Sequence, residues 1–277
     1  MSFTTEELNT ARNYLQERIT NYFVGKKGLL ALYIQGSVAE DSADEFSDLD
    51  FRVVVKPEVY QQYILERFDA PKQWGEWLYN EWADRSWVCV SHFQPFNKVD
   101  LLYFKPDQIQ PSAWFLLPTQ ILYDSSNLIQ QVIYASQKQE FDLLTTEEVE
   151  RLMSKGLAYS EEIYRRIMRG ELFYAQSQLN YLRETLIQLD DYLYHDLPSS
   201  GFGSSSHFER RGSKTLVEVL KLSYSTLDRQ LIIRALDILL GHYRTQIEQL
   251  HARLSLKRSL KTDLDLIETI QDLCQPD

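Results

Sequence analysis

The sequence is poor in the residues that build disulfide frameworks and zinc sites. Only 2 of its 277 residues are cysteines, Cys89 and Cys274, and they lie far apart without the spacing of metal ligands. The 5 histidines also lack the i, i+4 spacing of a helical metal site. We therefore expect neither a disulfide scaffold nor a zinc centre, and we expect both cysteines to be reduced thiols.

Long hydrophobic runs are missing as well. No apolar stretch approaches the roughly 18 residues that a membrane-spanning helix requires. The first residues, MSFTTEELNTARNYLQ, form an amphipathic pattern without the apolar centre of a signal peptide. The sequence accordingly predicts a cytoplasmic protein with no membrane partner. The Gly-Phe-Gly at residues 201–203 lacks the Gly-Lys-Ser/Thr ending of a phosphate-binding loop, so we assign it no nucleotide role.

Positive charge is scarce. The chain has 29 basic and 40 acidic side chains and a net charge of −11, and residues 1–143 account for 12 of the basic and 20 of the acidic ones. Nucleic-acid binding draws on clustered Lys and Arg that displace counterions, so no nucleic-acid partner is expected. The negative field would favour a cationic small substrate, but it would also serve solubility alone, and the composition leaves both interpretations open.

The period of the hydrophobic pattern changes near residue 143. Upstream, the pattern alternates between the periods of strands and helices, whereas downstream it is almost entirely helical. A chain of 277 residues is long enough for two ordinary domains. We therefore predict an α+β protein in which residues 1–143 form a mixed β-sheet flanked by helices and residues 144–277 form an all-α helical bundle.

The same pattern predicts the individual elements. Strands are expected at residues 29–35, 48–55, 87–93, 99–104 and 119–123. Helices are expected at 4–24, 58–69, 125–139, 145–169, 172–193, 213–224, 228–255 and 263–274. Residues 94–98, QPFNK, suit a hairpin loop, and residues 197–206, LPSSGFGSSS, have the composition of a flexible loop.

The stretch GSVAEDSADEFSDLDF, residues 36–51, holds 6 carboxylates in 16 positions. Alternate side chains of a strand share a face, so Asp48 and Asp50 should point the same way while their apolar neighbours enter the core. Two such acids repel each other unless a cation lies between them. Asp100 opens a further apolar strand, and the three acids converge if that strand pairs beside the first. Carboxylate oxygens in this arrangement suit Mg²⁺.

Such a triad could hold two Mg²⁺ ions roughly 4 Å apart, one positioning nucleotide phosphates and one lowering the pKa of an attacking hydroxyl. Gly36 would let the backbone come close to a phosphate, and the amides that follow it, with the Ser37 hydroxyl, could donate to its oxygens. The other four acids of the stretch are interpreted as a solvated connection: Glu40, Asp41, Asp44 and Glu45.

Together these features resemble the nucleotidyltransferase superfamily of the polymerase β type. The shared pattern is a buried strand, Gly-Ser, an acidic linker, the motif Ser47-Asp48-Leu49-Asp50 leading into a strand, and a later Asp100. Asp44-Glu45-Phe46 before that motif resembles the aminoglycoside 6-adenylyltransferase (streptomycin adenylyltransferase) branch. The resemblance extends to residues 99–102 and more loosely to residues 121–124, 169–172 and 182–183. The sequence departs from the branch at Val38, where arginine is common.

The resemblance implies a magnesium-dependent enzyme that transfers a nucleoside monophosphate, usually AMP from ATP, to a hydroxyl of a small, aminoglycoside-like acceptor and releases pyrophosphate. Asp48 and Asp50 would be metal ligands, Gly36 and Ser37 would hold the triphosphate, and Asp100 would be a metal ligand or general base. ATP or another nucleoside triphosphate would be the donor. The enzymes of this branch confer antibiotic resistance. For this chain we expect either a monomer or a homodimer.

In this interpretation residues 1–143 are the catalytic domain, residues 144–277 bind the acceptor, and the substrate lies in the cleft between them. Two alternatives stay open. One is transfer of a nucleotide to a protein or to another metabolite. The other is a degenerate member that binds nucleotide or a partner without catalysis.

Several further side chains have both a functional and a structural interpretation. Glu150 and Glu171 could contact the acceptor or could be ordinary helix glutamates. Arg52 could touch phosphate or pair with the acids, and Lys98 is interpreted as a loop lysine. The basic cluster at residues 209–214 could close over the triphosphate or could simply begin a helix. Four tryptophans could line the cleft or belong to the core: Trp74, Trp77, Trp82 and Trp87.

Overall fold

The computed structural model describes residues 3–81, 87–195 and 205–274. The chain divides into two compact units, Met1–Phe141 and Asp142–Asp277, which we call unit 1 and unit 2. Trp82 and residues 197–204 of the predicted loop, including its Gly-Phe-Gly, lie outside the described residues.

Unit 1 alternates strands and helices. In chain order they are α1 (Thr5–Val24), β1 (Leu29–Gln35), β2 (Leu49–Val55), α2 (Pro57–Glu66), β3 (Trp77–Asn80), β4 (Val88–Phe93), β5 (Asn97–Phe104), β6 (Gln120–Asp124) and α3 (Leu128–Ser136). Short 3₁₀ turns at residues 70–73, 106–108 and 113–116 connect some of them.

Local signals in the sequence account for several element boundaries. The side chain of Thr4 accepts from the Glu7 amide while the Glu7 carboxylate accepts from the Thr4 amide, and this capping box starts α1. Pro57 occupies the first turn of α2, where its missing amide hydrogen costs nothing. Gly28, with φ of +83°, makes the turn into β1, a conformation that residues with a side chain rarely adopt.

The six strands form one sheet in the order β3-β4-β5-β2-β1-β6. β2 and β5 run parallel, and every other pairing is antiparallel, so the sheet is mixed. The parallel register places Asp50 directly beside Asp100. The pairing that the convergence of the acids requires is therefore present.

Both faces of the sheet are covered. On one face, Ile19 and Phe23 of α1 belong to a buried cluster that includes Phe51 and Leu101 of the sheet. On the other face, the cluster that includes Tyr33 continues into α3. Burial of apolar side chains on both faces holds β2 and β5 in the middle of the unit, and this fixes the backbone that carries the acids.

Unit 2 contains only helices among its described residues. They are α4 (Thr146–Met168), α5 (Leu172–Tyr194), α6 (Phe208–Arg211), α7 (Lys214–Ser223), α8 (Arg229–Arg253) and α9 (Leu260–Cys274). The predicted capping box of Thr145 and Glu148 is present at the start of α4. None of the helices in the described ranges is long and apolar enough to cross a membrane.

The leucine seam of α5 packs as expected for a helix inside a bundle. Leu179, Leu182, Leu186 and Leu189 recur at alternate spacings of three and four residues and are completely buried. They join a core shared with α4, α8 and α9. This side of the helix is therefore structural.

The predicted α+β class is confirmed: a mixed sheet with helices is followed by a helical region. The main omission is β3, which is only four residues long and pairs with β4 at the edge of the sheet. The hairpin between β4 and β5 is also tighter than predicted, because the ladder continues to the pair Phe93 and Asn97. Lys98 consequently lies in a strand.

Candidate active site

The three predicted acids meet at one end of the sheet. Asp48 immediately precedes β2, Asp50 is its second residue, and Asp100 lies beside Asp50 on β5. Between the first two, Leu49 is completely buried, as the strand period requires. The side chains of Asp48, Asp50 and Asp100 stay 33%, 25% and 24% exposed, so they are accessible to a small ligand but only partly hydrated.

Gly36 lies against the middle acid. It directly follows β1 and has a φ of +81°. A Cβ atom at this position would lie 2.6 Å from Oδ2 of Asp50. Its carbonyl accepts from the amides of Ala39 and Glu40, which closes a helical turn. Within the described part of the chain, the amides of Ser37 and Val38 donate to no protein atom. Two amides at the start of a turn are thus available beside Asp50, the arrangement that binds a phosphate oxygen.

Two cations lie among the acids. Nζ of Lys98 is 2.7 Å from Oδ2 of Asp48 and 3.3 Å from Oδ2 of Asp100, while Nη1 of Arg52 is 3.8 Å from Oδ1 of Asp50. The interpretation of Lys98 as a loop lysine is wrong. Lys98 lies two residues before Asp100 on the same strand, so the two side chains share a face of the sheet. Its ammonium group is the cation between Asp48 and Asp100, which was not expected from the sequence.

The crowding of charge perturbs the acids. Burial, and then the nearby charge of Asp48, raises the pKa of Asp50 to about 6, although Arg52 partly opposes the shift. Burial also raises the pKa of Asp100, with Lys98 opposing. Burial by itself would lower the pKa of Lys98, but the hydrogen bond to Asp48 and the charge of Asp100 outweigh it and raise that pKa above its usual value. The site therefore carries negative charge that its own cations do not fully compensate.

The acidic connection between β1 and β2 is held in place rather than merely solvated. The carboxylate of Asp44 accepts from the amide of Phe46 and the hydroxyl of Ser47, and its carbonyl accepts from the guanidinium of the buried Arg12. The carboxylate of Glu45 accepts from the hydroxyl of Thr5. Asp44 is exposed and Glu45 is partly exposed, so the interpretation as a solvated connection stands for both, and their contacts also fix the backbone just before Asp48.

The acids have the chemistry of a divalent-cation site. Oδ1 of Asp100 is buried and has no hydrogen-bond partner in the part of the chain that the structure describes. Among the described residues, no group of three or more His, Cys, Asp or Glu side chains is placed to hold a metal ion, and the Lys98 ammonium lies between Asp48 and Asp100. The orphaned oxygen and the uncompensated charge of Asp50 nevertheless fit a bound cation with oxygen ligands.

Comparison with known proteins identifies the family. The family model described as streptomycin adenylyltransferase matches residues 12–272. The chain belongs to the streptomycin adenylyltransferase family. It is accordingly an enzyme of the adenylyltransferase type, and nucleotidyl transfer is its reaction class. Comparison with curated proteins gives no match.

Several solved structures align with this family member over most of its length. An aminoglycoside 6-adenyltransferase from Bacillus subtilis is 14% identical, with a TM-score of 0.45 and coverage of 94% of this chain and 97% of that one. A nucleotidyltransferase-like protein from Exiguobacterium sibiricum is 12% identical, with a TM-score of 0.42 and coverage of 94% and 89%. A spectinomycin adenyltransferase from Enterococcus faecialis, solved with ATP and spectinomycin, is 12% identical, with a TM-score of 0.27 and coverage of 99% and 100%. Family membership rests on the family model.

The two glutamates predicted to contact the acceptor lie in unit 2 of this streptomycin adenylyltransferase family member. Glu150 of α4 accepts from the backbone amides of Lys257 and Arg258 at 2.5 and 3.2 Å, which ties α4 to the turn before α9. Glu171 precedes α5 and its carboxylate is 2.5 Å from Nη1 of Arg166. Glu150 thus has a structural partner, whereas Glu171 stays on the surface in an ion pair.

The basic cluster at residues 209–214 is bound into unit 2. Arg211 pairs with the completely buried Asp191 at 2.8 Å, and the hydroxyl of Ser213 donates to the buried Asp190 while its side chain caps α7. These contacts satisfy two buried carboxylates, so they explain Arg211 and Ser213 by packing, whereas Glu209, Arg210 and Lys214 are exposed.

Three of the predicted tryptophans belong to the core of unit 1 or to its edge. Trp74 is 1% exposed and packs on Phe93. Trp77 and Trp87 are half-buried and pack against the same core, and Trp77 donates to the side chain of Asn80. The described residues of the set therefore have core roles.

Proposed function

We propose that the chain transfers AMP from ATP to a hydroxyl group of a small acceptor and releases pyrophosphate. The observation that carries the proposal is the position of Gly36 against Asp50, which is itself in register with Asp100. The two amides after Gly36 have no backbone partner among the residues that the structure describes. Donors for a phosphate and acids for a cation thus lie side by side. The name of the family supports an aminoglycoside-like acceptor.

The acids would hold Mg²⁺, in our proposal two ions, through the oxygens of Asp48, Asp50 and Asp100. When bound, the metal would neutralise phosphate charge and lower the pKa of the acceptor hydroxyl. Lys98 contacts Oδ2 of Asp100, whereas the buried Oδ1 has no hydrogen-bond partner among the described residues, so a bound cation would satisfy it. The backbone amides after Gly36 and the hydroxyl of Ser37 would donate to triphosphate oxygens and hold the chain of phosphates in line.

In the proposed reaction, the acceptor oxygen forms a bond to the α-phosphorus of ATP. The bond from that phosphorus to the oxygen bridging to the β-phosphate breaks, and pyrophosphate leaves with the electron pair. Asp100 takes one of two roles in this proposal: it is either a further ligand of the cation or the general base that accepts the hydroxyl proton. Burial raises its pKa, and a raised pKa suits the second role. Glu150 and Glu171 stay predictions as acceptor contacts: Glu150 accepts from two backbone amides, and Glu171 is paired with Arg166.

Calorimetry with ATP and Mg²⁺ tests the nucleotide half of the proposal. We expect binding that Asp50→Asn weakens at least about tenfold, since the variant removes a charged oxygen ligand. Asp41→Asn is the matched control. Asp41 is an exposed acid of the same connection with φ of +54°, a conformation that asparagine tolerates. Absence of nucleotide binding in the wild type would refute the proposal.

A pyrophosphate-release assay over aminoglycosides and other polyols tests the transfer. Turnover should require both ATP and an acceptor and should be lost in Asp48→Asn. Nucleotide binding without turnover on any acceptor would instead favour a member that binds without catalysis, and labelling of a protein would favour a protein acceptor.

A further inference from the structure

Lys98 bridges two of the three acids of the candidate active site. Its Nζ lies 2.7 Å from Oδ2 of Asp48 and 3.3 Å from Oδ2 of Asp100, so one ammonium group contacts one oxygen of each. Arg52 is placed differently, because its Nη1 donates to a backbone carbonyl and approaches Asp50 at 3.8 Å. Lys98 is therefore the cation that holds two of the proposed metal ligands together.

The balance of charge decides what this contact means for a metal ion. At neutral pH the three acids carry three negative charges, and Lys98 and Arg52 carry two positive ones. A divalent cation bound by the same acids would turn an excess of one negative charge into an excess of one positive charge. The acids are only 24% to 33% exposed, so solvent screens the repulsion between a metal ion and the ammonium in part. Lys98 therefore opposes the binding of a divalent cation on its own.

Phosphate oxygens would remove this opposition. Gly36 lies against Asp50, so the phosphates of the proposed function would enter beside the same acids. Lysine binds phosphate as a point charge at the end of a flexible stem. The side chain of Lys98 is 37% exposed, so packing does not confine it to the carboxylates. An ammonium group displaced by a metal ion would thus find new oxygen partners only when a triphosphate arrives with the metal.

We propose that Lys98 and the divalent cation compete for the carboxylates of Asp48 and Asp100, and that the displaced ammonium then binds the triphosphate. The site would accordingly take up a metal ion together with a triphosphate in preference to the metal ion alone. The inference rests on the proposed function and specifies how the same site is regulated. The opposing account is a lysine that only holds the acids in position.

Titration with Mn²⁺, followed by electron paramagnetic resonance of the free ion, tests the competition. Mn²⁺ takes the same oxygen ligands as Mg²⁺. The titration uses the full chain at pH 7.5 without nucleotide. Lys98→Met should bind Mn²⁺ at least about fivefold more tightly than the wild type, because the competing cation is gone. Lys98→Arg keeps the charge and should stay within about threefold of the wild type. Weaker or unchanged Mn²⁺ binding in Lys98→Met would overturn the proposal.

Calorimetry with Mg²⁺ and α,β-methylene-ATP tests the second half of the proposal. Lys98→Met should bind this metal–nucleotide complex about threefold or more weakly, because an ammonium partner of the phosphates is lost. The two affinities thus move in opposite directions. A lysine that only positions the acids would move both in the same direction, and that result would overturn the proposal.

Lys72→Met is the matched control. Lys72 belongs to unit 1, is 49% exposed and pairs with Asp69 at 2.7 Å, so its loss changes the net charge by the same amount. Both affinities should stay at the wild-type values, and a change equal to that of Lys98→Met would overturn the proposal by assigning the effect to net charge. Urea unfolding in EDTA shows whether each variant is folded, and Lys98→Gln is a second neutral variant.

The outcomes separate this inference from the proposed function. Nucleotide binding and turnover in the wild type, combined with unchanged Mn²⁺ affinity in Lys98→Met, would overturn the inference and leave the proposed function intact. Mn²⁺ binding to neither the wild type nor Lys98→Met would overturn the inference together with the proposed metal site. Asp50→Asn should lose Mn²⁺ binding in both backgrounds, which assigns the measured ion to these acids.

Discussion

Replacing Asp50 with asparagine should stabilise the metal-free protein while it abolishes activity. Burial and the nearby charge of Asp48 raise the pKa of Asp50 from its ordinary 3.8 to about 6. With 1.36 kcal/mol for each pH unit, ionisation of this side chain costs the folded state about 3 kcal/mol. The side chain is 25% exposed, so solvent screens only part of the effect. A neutral amide avoids the cost, although it can no longer hold a cation.

The sign of the pH dependence follows from the direction of the shift. Because the folded-state pKa of Asp50 lies above the unfolded one, the folded chain binds the proton more tightly. Below about pH 4 the side chain is protonated in both states, and the wild type and Asp50→Asn should be equally stable. Between about pH 4 and 6 the wild type loses stability relative to the variant, and above about pH 6 the difference should stay near 3 kcal/mol.

Urea unfolding with EDTA at pH 4.5, 5.5 and 7.5 measures this difference. All five tryptophans lie in unit 1, so their fluorescence reports the unfolding of the unit that contains the site. Addition of Mg²⁺ at pH 7.5 should stabilise the wild type and leave Asp50→Asn unchanged. The reasoning is refuted if Asp50→Asn is less stable than the wild type at pH 7.5, or if the difference is the same at every pH. Asp41→Asn should behave as the wild type.

Two further substitutions test the neighbours of Asp50. Lys98→Met removes a cation that lowers the pKa of Asp50 and Asp100, so the acidic limb of the pH profile of kcat/KM should move to higher pH. Lys98→Arg keeps the positive charge and should leave the limb in place. An unmoved limb in Lys98→Met would contradict the geometry. Gly36→Ala places a Cβ atom 2.6 Å from Oδ2 of Asp50 at a φ of +81°, so it should lower stability by about 1–2 kcal/mol in urea unfolding and weaken ATP binding in calorimetry. Unchanged ATP affinity in that variant would show that Gly36 serves only the turn.

The sequence contained enough information to locate the acids and Arg52 but not the second cation, Lys98. β1 is found at its predicted bounds, because a buried strand that ends in a glycine turn has a clear local signal. Asp48, Asp50 and Asp100 could be brought together from the strand period and one assumed pairing. The role of Lys98 depends on where the hairpin ends, and Pro95 in a five-residue polar run suggested a longer loop than the ladder allows.

Other features had weaker signals. β3 is an edge strand of four residues, too short for its period to be distinguished, and it forms through its pairing with β4. A pocket of about 620 Å³ beside Asp48 and Lys98 is lined by Phe46 and Phe96, which lie in loops far apart in the sequence and could not be associated before their positions were known. Tertiary pairing, rather than local propensity, determines both features.

The strand order explains why one short stretch predicts half of the site and not the other half. Gly36 directly follows β1, and the last residue of that strand, Gln35, pairs with Asp50 of the antiparallel β2, so the connection at residues 37–48 brings Gly36 and Asp50 together locally. Asp100 lies on β5, which follows α2, β3 and β4 in the chain, so its position beside Asp50 depends on the parallel pairing of β5 with β2. A shift of β5 by one residue would turn Asp100 towards the core and Leu101 towards the ligand. The buried Val99 and Leu101 prevent that shift, so the apolar core of unit 1 determines whether the third acid reaches the site.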